Sequence, residues 1–341
     1  MKSPYRYWRE ILNLDPFLKL KNMLTIETIK EARERISSRI HRTPVITSRL
    51  FNDVAGKQVF FKCENLQRAG AFKIRGATNK IQSLTPEEKL GGIVAFSSGN
   101  HAQAVALAGR EAGVRVVVAM PDDAPKMKVA ATRDYGAEII FYDRHKEDRE
   151  KFALDLAERQ RLVMVPPYDD LLILAGQATC GVELLEDVPD LDCLLAPCSG
   201  GGLFAGVATA ATEMKSDIRC FPVEPDTADD TRQSLKKGER VSIPPPPTIA
   251  DGLRVQIPGA LTFPIVQKLA EDVLTVSDEE ILETIRFMLF RMKVLVEPSG
   301  VAAAAAVMFR KLPADVQNVG VILSGGNIDG SVLSRVIAEP S

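Results

Sequence analysis

Residues 62–77 read Lys-Cys-Glu-Asn-Leu-Gln-Arg-Ala-Gly-Ala-Phe-Lys-Ile-Arg-Gly-Ala, with Lys73 in their second half. The apolar run Val59, Phe60, Phe61 before them has the composition of a strand, and Gly70 marks a turn. Ile74, Ala77 and Ile81 then recur at helical spacing, so a loop enters a helix at Lys73. Two readings of that lysine are open. One is a solvated charge on an amphipathic helix. The other is a reactive amine, because the positive end of a helix dipole disfavours an ammonium and so helps free the amine for covalent chemistry.

On both sides of this stretch, short β-branched runs alternate with helical ones, which predicts an α/β chain with largely parallel sheet. Strands are expected at 58–62, 93–96, 115–119, 138–141, 162–165, 192–197, 218–223, 273–276 and 319–323. Helical intervals at 100–112, 125–134 and 146–161 separate the four strands from 93 to 165. They predict a small domain, 92–168, inserted into a large one made of 23–91 and 169–341. Residues 1–22 carry Tyr5, Tyr7, Trp8, Phe17 and Leu18, interrupted by charges and without a small-residue cleavage site, so they read as an N-terminal extension and not a signal peptide. Thr25 is placed to cap a helix with Ile26, Ile29, Ala32 and Ile36 on one face. Pro244 to Pro247 read as a stiff surface connection, and Ala302 to Ala306 as a closely packed helix.

The 341 residues include 43 Lys and Arg against 45 Asp and Glu, a formal net charge of −2. That balance gives no footprint for nucleic acid and no polybasic membrane patch. No uninterrupted apolar stretch reaches the ~18 residues of a membrane span. A small-molecule partner is expected. Cys63, Cys180, Cys193, Cys198 and Cys220 form an odd, scattered set without a C-x-x-C pair, which argues against disulfides and zinc and for a reducing cytoplasm. The three histidines, His41, His101 and His145, are too dispersed for a metal ligand set.

Four further stretches carry chemistry. Ser97-Ser98-Gly99-Asn100-His101 lies between the strand ending at Phe96 and a helix expected to begin near Ala102. Its small residues either cap that helix or leave its N-terminal amides free for a carboxylate. Cys198-Ser199-Gly200-Gly201-Gly202-Leu203 follows a buried-type strand and opens a helix. Three glycines are costly in entropy for a mere turn and suit amides closing around a phosphate. The spacing of Gly200, Gly202 and Ala205, with Glu224 downstream, also fits a dinucleotide fold, a weak signal in a glycine-rich run. Glu224-Pro-Asp-Thr-Ala-Asp-Asp either caps a helix or holds a hard divalent cation. Ser324 follows the last strand, where open α/β sheets bind ligands.

A reactive lysine, a phosphate cradle, a carboxylate site and a neutral hydroxyl are the parts an enzyme needs to use pyridoxal phosphate (PLP) on an amino acid. Over about residues 24–336 the chain resembles the serine/threonine dehydratase and serine racemase group of fold type II PLP enzymes. Four motifs in order carry the resemblance: AFKIRGA (71–77), SSGNHAQA (97–104), PCSGGGL (197–203) and LSGGN (323–327). The resemblance implies the tryptophan synthase β-like fold, two α/β domains with mostly parallel open sheets flanked by helices, and a homodimer. It implies Lys73 as cofactor anchor and base, Phe72 beside the ring, Asn100 on the ring hydroxyl and Ser324 at the pyridine nitrogen. Ser199, Gly200, Gly201, Gly202 and Leu203 would hold the phosphate, and Gly252 and Glu297 would line the pocket. Ser97, Ser98, Gly99 and His101 would meet the substrate, and Arg149 matches a substrate-contacting arginine of the racemase branch. Glu224, the Ala228 carbonyl and Asp230 match a magnesium or calcium site described for part of the family.

The implied reaction removes water from a β-hydroxy amino acid such as threonine or serine, giving a 2-keto acid and ammonia. Ser98, where many dehydratases carry alanine, would place a second acid/base opposite Lys73 and keeps serine racemisation as the alternative. A nicotinamide-dependent dehydrogenase rests on the Gly200 spacing alone. Ala71 and Pro166 depart from the serine and histidine common in relatives, which bears on the substrate more than on the cofactor. No room is expected after residue 330 for the regulatory domain of the allosteric threonine dehydratases.

Overall fold

Parallel strands need helical crossovers, and this chain supplies them for two separate sheets in the computed structural model, which describes residues 24–124 and 126–338. The expected extension at 1–22 lies outside the described residues. In sequence order the strands are β1 Val45–Ile46, β2 Gln58–Cys63, β3 Ile93–Phe96, β4 Val116–Pro121, β5 Glu138–Tyr142, β6 Val163–Met164, β7 Cys193–Pro197, β8 Arg219–Pro225, β9 Leu274–Val276 and β10 Asn318–Leu323. A six-stranded sheet has the order β1-β2-β10-β7-β8-β9, and a four-stranded sheet has the order β5-β4-β3-β6. Every pairing is parallel except β1 with β2. All nine expected strands form. The additional one, β1, is a two-residue edge run, too short to show a period of its own.

β3 and β4 are buried along their whole length, as strands covered on both faces must be. Thr25 caps the Ile26–Ile36 helix in a reciprocal capping box with Thr28, and Ile29, Ala32 and Ile36 are buried. The alanines 302–306 lie fully buried in the Pro298–Met308 helix, which packs with β7, β10 and the Asp278–Phe287 helix in one core. Residues 244–247 adopt no regular structure. Among the described residues, no helix is long and apolar enough to cross a membrane.

Two contacts fix where Lys73 starts its helix. The Lys73–Gln82 and Leu171–Asp187 helices meet backbone to backbone, since a methyl on Gly176 would stand 2.6 Å from the Gly76 Cα. Beside that contact lies a buried ionic quartet. Arg75 donates to Glu64 at 2.7 and 2.8 Å and to Glu183 at 2.8 Å, while Lys62 Nζ reaches Glu183 and the Thr43 carbonyl, each at 2.7 Å. Two cations and two carboxylates balance, and their hydrogen bonds offset the desolvation that would otherwise make such burial costly.

Candidate active site

β10 lies between β2 and β7, with Leu323 paired to Cys63 and Val321 to Leu195. Because these strands are parallel, their C-terminal ends open on one edge of the sheet, where Lys73, Ser324 and Ser199 follow them. The segments are stitched together: the Phe72 amide donates to the Ser324 carbonyl at 3.0 Å and the Gly326 amide to the Gly70 carbonyl at 2.8 Å. Ser324 is 4% exposed.

Lys73 is the first residue of its helix, with no side chain capping that end. Its Nζ donates to the Pro167 carbonyl at 2.6 Å and sits 5.0 Å from the Phe72 ring centroid. Burial lowers its pKa to about 8, so the amine is far more available than an ordinary lysine's. Desolvation is what tertiary packing adds at this helix start. Next to it His101 is buried, donates from Nε2 to the Val165 carbonyl at 2.9 Å, and is pushed down to about 3, by burial first and by the Lys73 charge second. His101 is therefore neutral at physiological pH.

The second sheet brings Ser97, Ser98 and Gly99 to the same cleft. The helix here begins at Asn100, where the helical interval 100–112 puts it and two residues before Ala102, so Asn100 and His101 belong to its first turn. No side chain caps it, and the Ser97 hydroxyl instead accepts from the Gly99 amide at 3.1 Å. The helix amides are thus left for a carboxylate. Asn100 Nδ2 donates to Glu297 Oε1 at 2.6 Å, joining this sheet's helix to the segment before the Pro298–Met308 helix. Burial raises Glu297 to about 7. Gly252 stands behind it, its amide donating to Ser299 Oγ at 2.8 Å.

Residues 199–203 form the cradle. Gly201 has φ +87° and begins the Gly202–Met214 helix without a side-chain cap. A methyl on Gly200 would run into the Tyr168 ring, and one on Gly202 would lie 2.7 Å from the Tyr168 Cβ, so only glycine fits beneath that tyrosine. Ser199 Oγ is buried without a hydrogen-bond partner. A buried hydroxyl left unmatched beside uncapped amides fits a phosphate group. Sequence reasoning missed how the cradle is braced. Thr262 Oγ1 donates to the Gly200 carbonyl at 2.5 Å, and Asp169 accepts from the amides of Ala260, Leu261 and Thr262 at 2.9, 2.8 and 3.2 Å. The adjacent pair Tyr168-Asp169 was the available signal.

Arg149 opens the Arg149–Gln160 helix, exposed, with its guanidinium 5.9 Å from the Phe96 ring centroid. Its charge acts on Tyr168, whose hydroxyl burial pushes up to about 12. No hydrogen bond or ion pair joins it to Lys73 among the described residues. Glu224 is the penultimate residue of β8, and Asp230 begins the next helix. Glu224 accepts from the Thr231 and Arg232 amides, each at 3.1 Å, so the acid that a dinucleotide site would need is already engaged. Both Asp230 oxygens are buried and unpartnered. Burial, with the neighbouring carboxylate, raises Glu224 well above the ordinary range, and burial raises Asp230 to about 7. Among the described residues no group of three or more His, Cys, Asp and Glu side chains is placed for a metal. Two carboxylates with the Ala228 carbonyl still fit a hard cation that keeps several waters.

Residues 36–325 match the family model described as pyridoxal-phosphate dependent enzyme. The L-threo-3-hydroxyaspartate ammonia-lyase of Saccharomyces cerevisiae is 46% identical over 305 residues, covering 89% of this chain and 94% of that one. The serine racemase of Schizosaccharomyces pombe is 45% identical with the same coverage of both chains. The solved structure of maize serine racemase superposes with a TM-score of 0.89 at 41% identity, covering 92% of this chain and 97% of that one.

Proposed function

The chain belongs to the family of pyridoxal-phosphate dependent enzymes, and from that premise we propose that it eliminates water from a β-hydroxy amino acid, leaving an enamine that takes water back as it hydrolyses to a 2-keto acid and ammonia. The observation that carries this reading is the Lys73 amine, lowered to about 8 at the sheet edge that also holds the partnerless Ser199 hydroxyl and the buried Ser324. PLP, when bound, supplies an electron sink for the bond to the Cα proton. The residues of this chain do the rest. Ser199 and the amides of Gly200, Gly201, Gly202 and Leu203 hold the phosphate, Phe72 packs beside the ring, and Asn100 faces its hydroxyl. Glu297 and Gly252 line the pocket behind Asn100. Ser324, a neutral partner for the pyridine nitrogen, leaves that nitrogen uncharged, which weakens the sink and favours prompt loss of the β-hydroxyl. The amides around Ser97, Gly99 and His101 take the substrate carboxylate. Lys73 Nζ removes the Cα proton, for which its lowered pKa suits it.

Arg149 favours an acidic side chain such as that of 3-hydroxyaspartate over those of serine and threonine, and two similar proteins are named for that substrate. A keto-acid assay over serine, threonine and 3-hydroxyaspartate, with wild type and Arg149→Ala, tests this. Loss of the acidic substrate's advantage in the variant is expected, and an unchanged preference rejects the arginine's role. Absence of any keto acid from PLP-loaded protein rejects the dehydratase reading.

Racemisation is the second reading, favoured by Ser98, which would serve as acid/base on the face opposite Lys73. Chiral analysis of serine incubated with the enzyme decides it, since no D-enantiomer from wild type removes it. We further propose magnesium or calcium at Glu224, Ala228 and Asp230, and a large domain of 23–91 and 169–341 carrying the small domain 92–168. The confinement of β3 to β6 to that inserted segment supports the division. A cytoplasmic homodimer completes the reading, supported on compartment by five cysteines that are free and buried.

A further inference from the structure

The turn that begins at Ser324 ends on a residue the reaction above leaves unused. Asn327 Nδ2 donates to the Ala69 carbonyl and to Asn100 Oδ1, each at 2.8 Å, and its backbone amide faces the Glu297 carboxyl. Ala69 and Gly70 are both left-handed, with φ +56° and +71°, directly before the segment that carries Lys73. Any side chain on Gly70 would strike the Asn327 amide. The two segments are therefore built around this asparagine.

The chemistry of the contacts fixes which way each amide points. A backbone carbonyl only accepts, so Asn327 must turn its NH2 group to Ala69. The second N–H of that nitrogen meets Asn100, which must then offer its oxygen. The Asn100 nitrogen is left facing Glu297 Oε1 at 2.6 Å, with one N–H to spare. Orientation thus passes from a carbonyl four residues before Lys73 to the amide of Asn100. Asn100, Asn327 and Glu297 come from three distant parts of the chain, and no spacing pattern links them.

We propose that Asn327 is a positioning residue that locks the Asn100 amide nitrogen-first toward the pocket, so that the site selects the ionised form of the cofactor's ring oxygen. The ionised oxygen is the stronger, charge-assisted acceptor for the spare N–H of Asn100, whereas a protonated hydroxyl accepts it more weakly. This rests on the reading that Asn100 faces the ring hydroxyl of PLP. Without Asn327 the Asn100 amide is held by Glu297 alone, whose protonated form donates to the Asn100 oxygen instead, so the selection weakens.

The test uses PLP-loaded Asn327→Ala, Asn100→Ala and the double variant, read by the absorption bands of the bound cofactor and by PLP rebinding to the stripped protein. In Asn327→Ala, intensity moves from the long-wavelength band toward the short-wavelength band, and the PLP Kd rises about tenfold, equivalent to ~1.4 kcal/mol. Asn100→Ala shows the same band shift, and adding Asn327→Ala to it shifts the bands no further, because one residue acts through the other. A merely structural Asn327 would lower the thermal midpoint of the stripped protein and leave the band ratio alone, which overturns the proposal, as do additive shifts in the double variant. Should Asn327→Ala fail to fold, Asn327→Ser carries the same expectation for the bands, and an unchanged spectrum has the same force. Wild type that develops no cofactor band with PLP overturns the reading of the pocket itself, a result distinct from a normal band that Asn327→Ala leaves unmoved.

Discussion

Two groups of buried charge in this molecule have opposite characters. Lys62, Glu64, Arg75 and Glu183 form a balanced quartet in which every charged group has a partner of opposite sign. Glu224 and Asp230 are two buried carboxylates side by side, with no cation among the described residues and with both Asp230 oxygens unpartnered. Burying a charge is unfavourable by several kcal/mol unless something pairs with it. The first group is satisfied within the fold and acts as architecture, holding the start of the Lys73 helix. The second is satisfied only by protonation or by something that binds. A complete network marks structure, and an incomplete one marks a site.

Breaking the quartet should produce the largest effect. Glu183→Gln leaves Arg75 and Lys62 with too little negative charge, and a stability loss of ~3–5 kcal/mol by denaturant unfolding is expected. A loss below about 1 kcal/mol, the range of exposed pairs, would show that the quartet is not the brace described. Filling the acid pair comes next. Magnesium at a hundredfold excess over its Kd should stabilise the wild type by about 2.7 kcal/mol in thermal unfolding, and Asp230→Asn should abolish the gain. Without metal, Asp230→Asn should itself be neutral or stabilising by up to ~1 kcal/mol, the opposite sign to Glu183→Gln, because it removes an unpaired buried charge. Destabilisation of the metal-free protein by Asp230→Asn would erase the contrast between the two groups.

The smallest expected effect is the pH dependence of the unloaded protein through Lys73 between pH 7 and 8. Its folded pKa of about 8 lies below the ordinary 10.5, so the unfolded chain holds more protons between those values. Stability should therefore rise with pH across that window, with the penalty for burying the ammonium fully present below it. Between pH 7 and 8 the gain is only a few tenths of a kcal/mol by the same linkage. Comparing Lys73→Met with wild type isolates it, and a variant with the same pH slope would mean that Lys73 is not desolvated.

Much of this was legible before any coordinates. Strand positions followed from β-branched runs and the Ile26–Ile36 helix from its Thr25 cap, because both are local preferences of the chain. That the helix at Asn100 carries no side-chain cap was less so, since the amides left open there have no sequence signature. β1 escaped because an edge strand of two residues borrows its regularity from β2.

Motif order and residue type by themselves determined the α/β class, the family and the cofactor. Those features depend on periodicity and on short motifs, which the chain carries within a few residues of one another. Only the tertiary structure decided that burial lowers the Lys73 pKa, that Tyr168 covers the cradle, and that Asn327 reaches both Ala69 and Asn100. Desolvation and hydrogen-bond direction depend on which distant segments β10 brings together when it inserts between β2 and β7, and that insertion has no local signal in the sequence.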